Sequence, residues 1–136
     1  MTTNLIVLAA GHGTRMQSDT PKVLHRLAGL ELFAHALATG AALEPVASVL
    51  VVGAGADQVK DAAQEFDPEV KIAVQSPPQG TGDAVRCGLS ALGDAGGDAV
   101  VLYADTPFIQ TGTLARMADA RAAGNDVVGL VVGWNV

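Results

Sequence analysis

At 136 residues the chain has the length of one ordinary domain, and with 49% hydrophobic and 16% charged residues it is too apolar to stay disordered. Aromatics make up only 4% and there is one cysteine, Cys87, so the core must be aliphatic, and a disulfide framework or Cys-rich zinc site is excluded. The net charge of −6 argues against general nucleic-acid binding, which needs clustered Lys and Arg, and no apolar run reaches the ~18–20 residues of a bilayer span.

In chain order, residues 4–10 (Asn-Leu-Ile-Val-Leu-Ala-Ala) read as a strand buried on both faces. The first stretch, residues 1–10, has no basic n-region and runs into Gly11 and His12, so it does not read as a signal peptide, and a cytoplasmic domain is the expectation. Residues 32–43 predict a helix, 47–53 a strand, 56–65 a helix, 70–75 a strand and 82–92 a helix. Residues 98–104 then predict a strand, 113–123 a helix and 125–133 a fifth strand. Strands apolar on both faces, separated by helices of about ten residues, specify a parallel sheet covered on both sides, an α/β doubly wound fold. No internal repeat or low-complexity tract interrupts the pattern.

Three connections stand apart: residues 11–21, 75–82 and 105–112, each following a predicted strand. In an open α/β sheet ligands sit beyond the carboxyl ends of the strands, so all three should open on one edge of the sheet. The first is locally basic. Between Gly11 and Arg26 lie three of the eight Lys and Arg residues and a single acid, Asp19.

Gly11-His12-Gly13-Thr14-Arg15-Met16 contains G-x-G but lacks the third glycine of the dinucleotide fingerprint. The acid that fingerprint expects would be Glu31, which follows Gly29-Leu30, where a turn is expected, and the G-x-x-x-x-G-K-[ST] phosphate loop is missing. Alone, the glycine pair is equally well a tight structural turn. With Arg15 and Lys22 beside it, it becomes a phosphate site: glycine amides approach an anion closely and two cations neutralise it. Pro21 fixes the backbone ahead of Lys22 and should aim its amine back towards the loop. Each residue also has a plainer reading. Arg15 and Lys22 can be solvated surface cations, Asp105 a turn residue, and Thr81 a helix cap. His12, His25 and His35 lack ligand spacing, and Cys87, inside a predicted helix, reads as a small core residue.

Leu8-Ala9-Ala10-Gly11-His12-Gly13-Thr14-Arg15-Met16 followed by Pro21-Lys22 resembles the signature L-x-[AG]-G-x-G-[ST]-R-[ML]-x(n)-P-K of sugar-phosphate nucleotidyltransferases of the MobA-like superfamily. With Ser18-Asp19-Thr20-Pro21-Lys22-Val23-Leu24-His25-Arg26-Leu27-Ala28-Gly29, it resembles most the uridyltransferase domains of the bacterial bifunctional N-acetylglucosamine-1-phosphate uridyltransferase/glucosamine-1-phosphate acetyltransferase family. Gln79-Gly80-Thr81-Gly82-Asp83-Ala84 matches that family's Q/L-G-T-G-[HD]-A segment, and Tyr103-Ala104-Asp105-Thr106-Pro107-Phe108-Ile109 its Y-[GA]-D-x-P-L-I segment. The three motifs fall on the three unusual loops.

The resemblance implies a Rossmann-like three-layer α/β/α fold with a mostly parallel sheet, incomplete at its C-terminus, residues 1–136 being the N-terminal, nucleotide-binding portion of the transferase domain. It implies transfer of UMP from UTP to N-acetylglucosamine 1-phosphate, giving UDP-N-acetylglucosamine (a precursor of peptidoglycan and lipopolysaccharide) and pyrophosphate, with Mg²⁺ as cofactor. Leu8, Ala9, Ala10, Gly11 and Gly13 would receive the nucleotide along their backbone. Arg15 and Lys22 would hold the triphosphate and stabilise in-line transfer. Gln75 would bond the uracil edge, with Gly80 and Thr81 closing over the base, while Tyr103 and Ala104 border sugar and ribose and Asp105 ligates the metal. Transfer at an α-phosphate needs mainly positioning and charge stabilisation, which suits this inventory. Ala104 stands where the family commonly has glycine, and its methyl group should narrow the pocket slightly. The family domain continues beyond Val136 with its acceptor loop and a second metal ligand, so the edge left open should favour self-association. Two alternatives stay open: a nucleotide-binding portion without turnover, and a related nucleotidyltransferase with another phosphorylated acceptor.

Overall fold

The structure, a computed structural model, describes residues 2–11 and 20–131. Strand β1 (Thr3–Leu8) leads into a segment holding a 3₁₀ turn (Lys22–Leu24) and two short strands, β2 (Arg26–Leu27) and β3 (Leu30–Glu31). Helix α1 (Leu32–Ala41), β4 (Ala47–Gly53), α2 (Asp57–Phe66) and β5 (Lys71–Gln75) follow. Helix α3 (Thr81–Leu92), β6 (Asp98–Tyr103) and α4 (Thr111–Ala122) complete the set.

The main sheet is parallel throughout, in the order β5-β4-β1-β6. Its central strands carry aliphatic residues on both faces. Leu5, Val7, Leu50 and Val52 pack against α1, α2 and α4 through Phe33, Leu37, Val59, Ala63 and Leu114, while Ile6, Leu8, Val49, Val51 and Ala73 pack against α3 through Ala84 and Leu92. That is a three-layer α/β/α fold. Phe33 and Phe66 meet edge to face, with centroids 6.3 Å apart, and tie α1 to α2. Two glycines bring the helices close to β1. A Cβ on Gly40 of α1 would strike the Leu5 side chain, and one on Gly88 of α3 would lie 2.7 Å from Ile6 Cγ2. Among the described residues no helix is long and apolar enough to cross a membrane.

The predicted helices and first four strands lie within a few residues of the observed ones. Two features differ. Residues 125–131, the described part of the predicted fifth strand, are not a strand; Val127 and Val131 stand 87% and 89% exposed. An apolar run becomes a strand only when a neighbour completes its ladder, and these residues pair with none of the described strands. The structure also adds the β2–β3 hairpin, with Leu27 paired to Leu30 across Ala28 and Gly29, whose φ angles are +54° and +83°. Two left-handed residues in a two-residue loop are the geometry that matches hairpin twist. The turn expected near Gly29 is therefore present, flanked by strands too short to carry a periodic signal.

Candidate functional site

After β5 the chain returns through α3 to the far side of β1 and enters the sheet there as β6. The winding direction therefore reverses between β1 and β6, and the carboxyl ends of those two strands flank a crevice of the kind in which open α/β sheets bind ligands. The described ends of the three unusual loops leave this same edge, as their sequence order required.

On the β1 side, Leu8 and Ala9 are buried, Ala10 is half-buried and Gly11 exposed, so the backbone rises out of the core over four residues. Two bonds fix its exit: Ala9 N–H donates to Val51 O at 2.7 Å, and Ala104 N–H donates to Leu8 O at 2.9 Å. Among the described residues a Cβ on Gly11 would meet nothing within 4 Å. Gly13 and Arg15 lie outside the described residues.

Lys22 begins the 3₁₀ turn. Val23 is buried in the first core, the one between the sheet and α1, α2 and α4, and pins the segment against α1, while Leu24 N–H donates to Pro21 O at 2.9 Å and His25 N–H to Lys22 O at 3.0 Å. So anchored, the Lys22 side chain crosses to the loop after β6, its ammonium 3.3 Å from Asp105 Oδ2, with both groups about two-fifths exposed (42% and 43%). The sequence expects the Lys22 amine to turn back towards the glycine loop, most of which lies outside the described residues; its partner here is Asp105 at the switch point. Asp105 lies in a turn just beyond β6, in which Thr106 Oγ1 donates to Tyr103 O at 3.1 Å. Tyr103 is exposed along the edge.

Ala104 corrects an expectation. Its side chain is fully buried and belongs to the first core cluster, so the methyl group fills core and does not narrow the crevice. Thr81 corrects another. It is the first residue of α3, and the capping position is Gly80, at φ +93°, with no side-chain cap. A left-handed φ of that kind suits glycine alone.

At the opposite end of the same edge, Gln75 closes β5. It is only 4% exposed, yet both N–H hydrogens of its amide are engaged: Nε2 donates to Gly80 O and to Asp83 Oδ2, both at 3.0 Å. Asp83 Oδ1 in turn accepts from Arg86 Nη2 one turn further along α3. The Gln75 bond, followed by the Arg86 bond, holds the Asp83 carboxyl below the usual aspartate range, and the same Asp83 contact raises Arg86. The sequence reading gave neither Asp83 nor Arg86 a role. The signal was there: an acid and an arginine at i and i+3 on a helix that starts six residues after a strand-end glutamine.

From Gln75 to Asp105 the edge crosses three strand spacings, roughly 14 Å at about 4.8 Å each. An extended nucleoside triphosphate has that reach. Among the described residues no group of three or more His, Cys, Asp or Glu side chains converges, and Asp105 is the hard oxygen donor described at the switch point. That fits Mg²⁺, which keeps several waters and takes one or two carboxylates together with substrate phosphates.

The topology, the switch-point crevice and the carboxyl-edge loops define an α/β domain of the doubly wound, nucleotide-handling class. The family model for the MobA-like NTP transferase domain matches residues 5–134, and the chain belongs to that family. Among curated proteins, it is 53% identical over 121 residues to the bifunctional protein GlmU of Cereibacter sphaeroides, covering 89% of this chain and 27% of that protein. It is 56% identical over 114 residues to the GlmU of Paracoccus denitrificans, covering 84% and 26%. The chain therefore spans about a quarter of the length of these relatives. Among solved structures, Rv0371c from Mycobacterium tuberculosis superimposes with a TM-score of 0.74 at 24% identity, over 90% of this chain and 61% of that one. A nucleotidyl transferase from Methanothermobacter thermautotroptrophicus gives 0.72 at 23% identity, over 87% and 57%. Both support the three-layer fold.

Proposed function

We propose that this chain is the nucleotide-binding portion of a transferase that moves the uridylyl group of UTP onto N-acetylglucosamine 1-phosphate. A phosphate oxygen of the sugar phosphate attacks the α-phosphorus in line, the bond to the β-phosphate oxygen breaks, and pyrophosphate leaves. The observation that carries the reading is the pairing of Lys22 with Asp105 across the switch point, on the same sheet edge that ends in the buried Gln75 amide. The relatives bearing the GlmU name support the sugar-phosphate class of acceptor.

In this reading Gln75, Gly80 and Thr81 meet the base, and the backbone from Leu8 through Ala10, Gly11 and Gly13 lies along ribose and phosphates. Tyr103 and Ala104 border the sugar side. Lys22, with Arg15 from the sequence motif, neutralises charge on the triphosphate, which is most of what phosphoryl-group transfer asks of a protein. Asp105 would hold the divalent cation, and when bound that cation screens the phosphate oxygens from the attacking anion. To engage phosphate, the Lys22 ammonium leaves the Asp105 carboxylate. The exchange is inexpensive because the pair is exposed, and one motion supplies both a cation for phosphate and a free carboxylate for metal.

A second reading, nucleotide binding without turnover by this chain alone, is favoured by the lack, among the described residues, of any cluster of three or more metal-ligating side chains. One experiment separates them: pyrophosphate release from UTP and N-acetylglucosamine 1-phosphate, with and without Mg²⁺, alongside UTP binding by calorimetry on the same folded sample. Mg²⁺-dependent release supports the transferase reading. Binding without release supports the second, and a folded chain that binds no UTP overturns both.

A further inference from the structure

We propose that Asp83 is a positioning residue that fixes which end of the Gln75 amide faces the base, so that the site selects bases presenting a ring N–H. The inference rests on Gln75 being the base contact, as read above. A primary amide has two N–H hydrogens and one carbonyl oxygen. Here both hydrogens are committed, one to Gly80 O and one to Asp83 Oδ2, each at 3.0 Å. Turning the amide over would set Oε1 against a carbonyl and a carboxylate, neither of which carries a hydrogen. In a side chain only 4% exposed, that loss would not be repaired by water. The amide therefore has one orientation, and what it still offers a ligand is the Oε1 acceptor. Uracil answers an acceptor with its N3–H. Cytosine has a lone pair at the same ring position, and two acceptors would face each other.

Asp83 is itself held for this task. It is the third residue of α3, where the helix dipole favours a carboxylate, and Arg86 takes its Oδ1, leaving Oδ2 for Gln75. Its depressed carboxyl, held down first by the Gln75 bond, keeps it an acceptor at neutral pH. The acid is thus one link removed from the base: it acts on selectivity through the amide.

The plainer role for Asp83 is a helix-start charge, and the choice of variants separates the two. Asp83→Asn and Asp83→Ala both remove the charge, but only Asn keeps an oxygen that can accept from Gln75. Dissociation constants of the 136-residue chain for UTP and CTP in Mg²⁺, by equilibrium dialysis, give the preference directly, and a thermal melt of each variant reads the helix effect. The wild type should favour UTP by about tenfold or more, one well-placed hydrogen bond against one repulsion. Asp83→Ala should shrink that ratio by about fivefold, while Asp83→Asn keeps it within about twofold although both melts shift alike. If Asp83→Ala does not fold, Asp83→Ser, whose hydroxyl suits a helix start but stops short of the amide, should show the same loss. A wild type that prefers UTP and an Ala or Ser variant with an unchanged ratio overturns the inference and leaves the reading of Gln75 standing. A folded wild type that binds UTP and CTP alike overturns that reading and the inference with it.

Discussion

The two ends of the carboxyl edge are built on opposite plans. At β5 a buried amide is held by two bonds to acceptors that are themselves fixed, one of them by an arginine. At the switch point a lysine and an aspartate share a single contact, both open to water. The first arrangement resists change because every alternative leaves a buried polar group unpaired. The second invites change because water and phosphate can replace each partner at little cost. On the proposed reading, one end recognises a base and the other rearranges around a charged triphosphate, and the two plans suit those two tasks.

The contrast can be tested from both sides. Lys22→Ala should lower transfer by about 10²–10³-fold in any form of the protein that turns over, because it removes a charge aimed at the phosphates. Pyrophosphate release checks it, and the melting transition should move by less than about 1 kcal/mol, since the pair is exposed. An unchanged rate would mean that the switch-point lysine is surface decoration. Asp105→Asn should abolish the strengthening of UTP binding by Mg²⁺ while leaving metal-free binding equal or better, because an acid near the triphosphate is gone; calorimetry with and without Mg²⁺ reads it. Gly80→Ala should cost about 1–3 kcal/mol in thermal unfolding, although a Cβ there would find open space, because φ +93° is strained for any other residue.

The smallest effect is that of pH. Asp83 is depressed in the folded state, so its contribution to stability is complete above the ordinary aspartate range and is lost as pH falls through the lower folded value. Urea midpoints followed from about pH 6 to about pH 3 should therefore decline more steeply for the wild type than for Asp83→Asn. Parallel declines would show that the carboxylate gains nothing from Gln75 and Arg86.

Much of the fold was legible in the sequence because the central strands are buried on both faces and so read as unbroken aliphatic runs, as in Leu5–Leu8 and Val49–Val52. The common edge of the three loops followed from parallel topology alone. What escaped detection depends on partners. Residues 127–131 carry a strand's composition, but composition does not supply a neighbour. The β2–β3 hairpin has two residues per strand, too few for a period, although Ala28 and Gly29 marked its turn. The Ala104 methyl was assigned to the crevice from its motif, and only the packing of β6 on the first core shows it pointing inward. Lys22 and Asp105 were both singled out, but 83 residues of chain separate them and their contact depends on the sheet order. Asp83 and Arg86 are not legible as a unit, because their tie to Gln75 exists only once the end of β5 and the start of α3 are brought together.

Gly40 and Gly88 have a consequence far from their own positions. By letting α1 and α3 close on β1 from opposite faces, they clamp that strand from both sides. Backbone amides at Leu5, Ile6 and Val7 should exchange with deuterium only through global unfolding, as the slowest set in the chain. The backbone of Ala9, Ala10 and Gly11 thus departs from a clamped beam, and its placement is set by two helices whose close contacts lie at the middle of that beam.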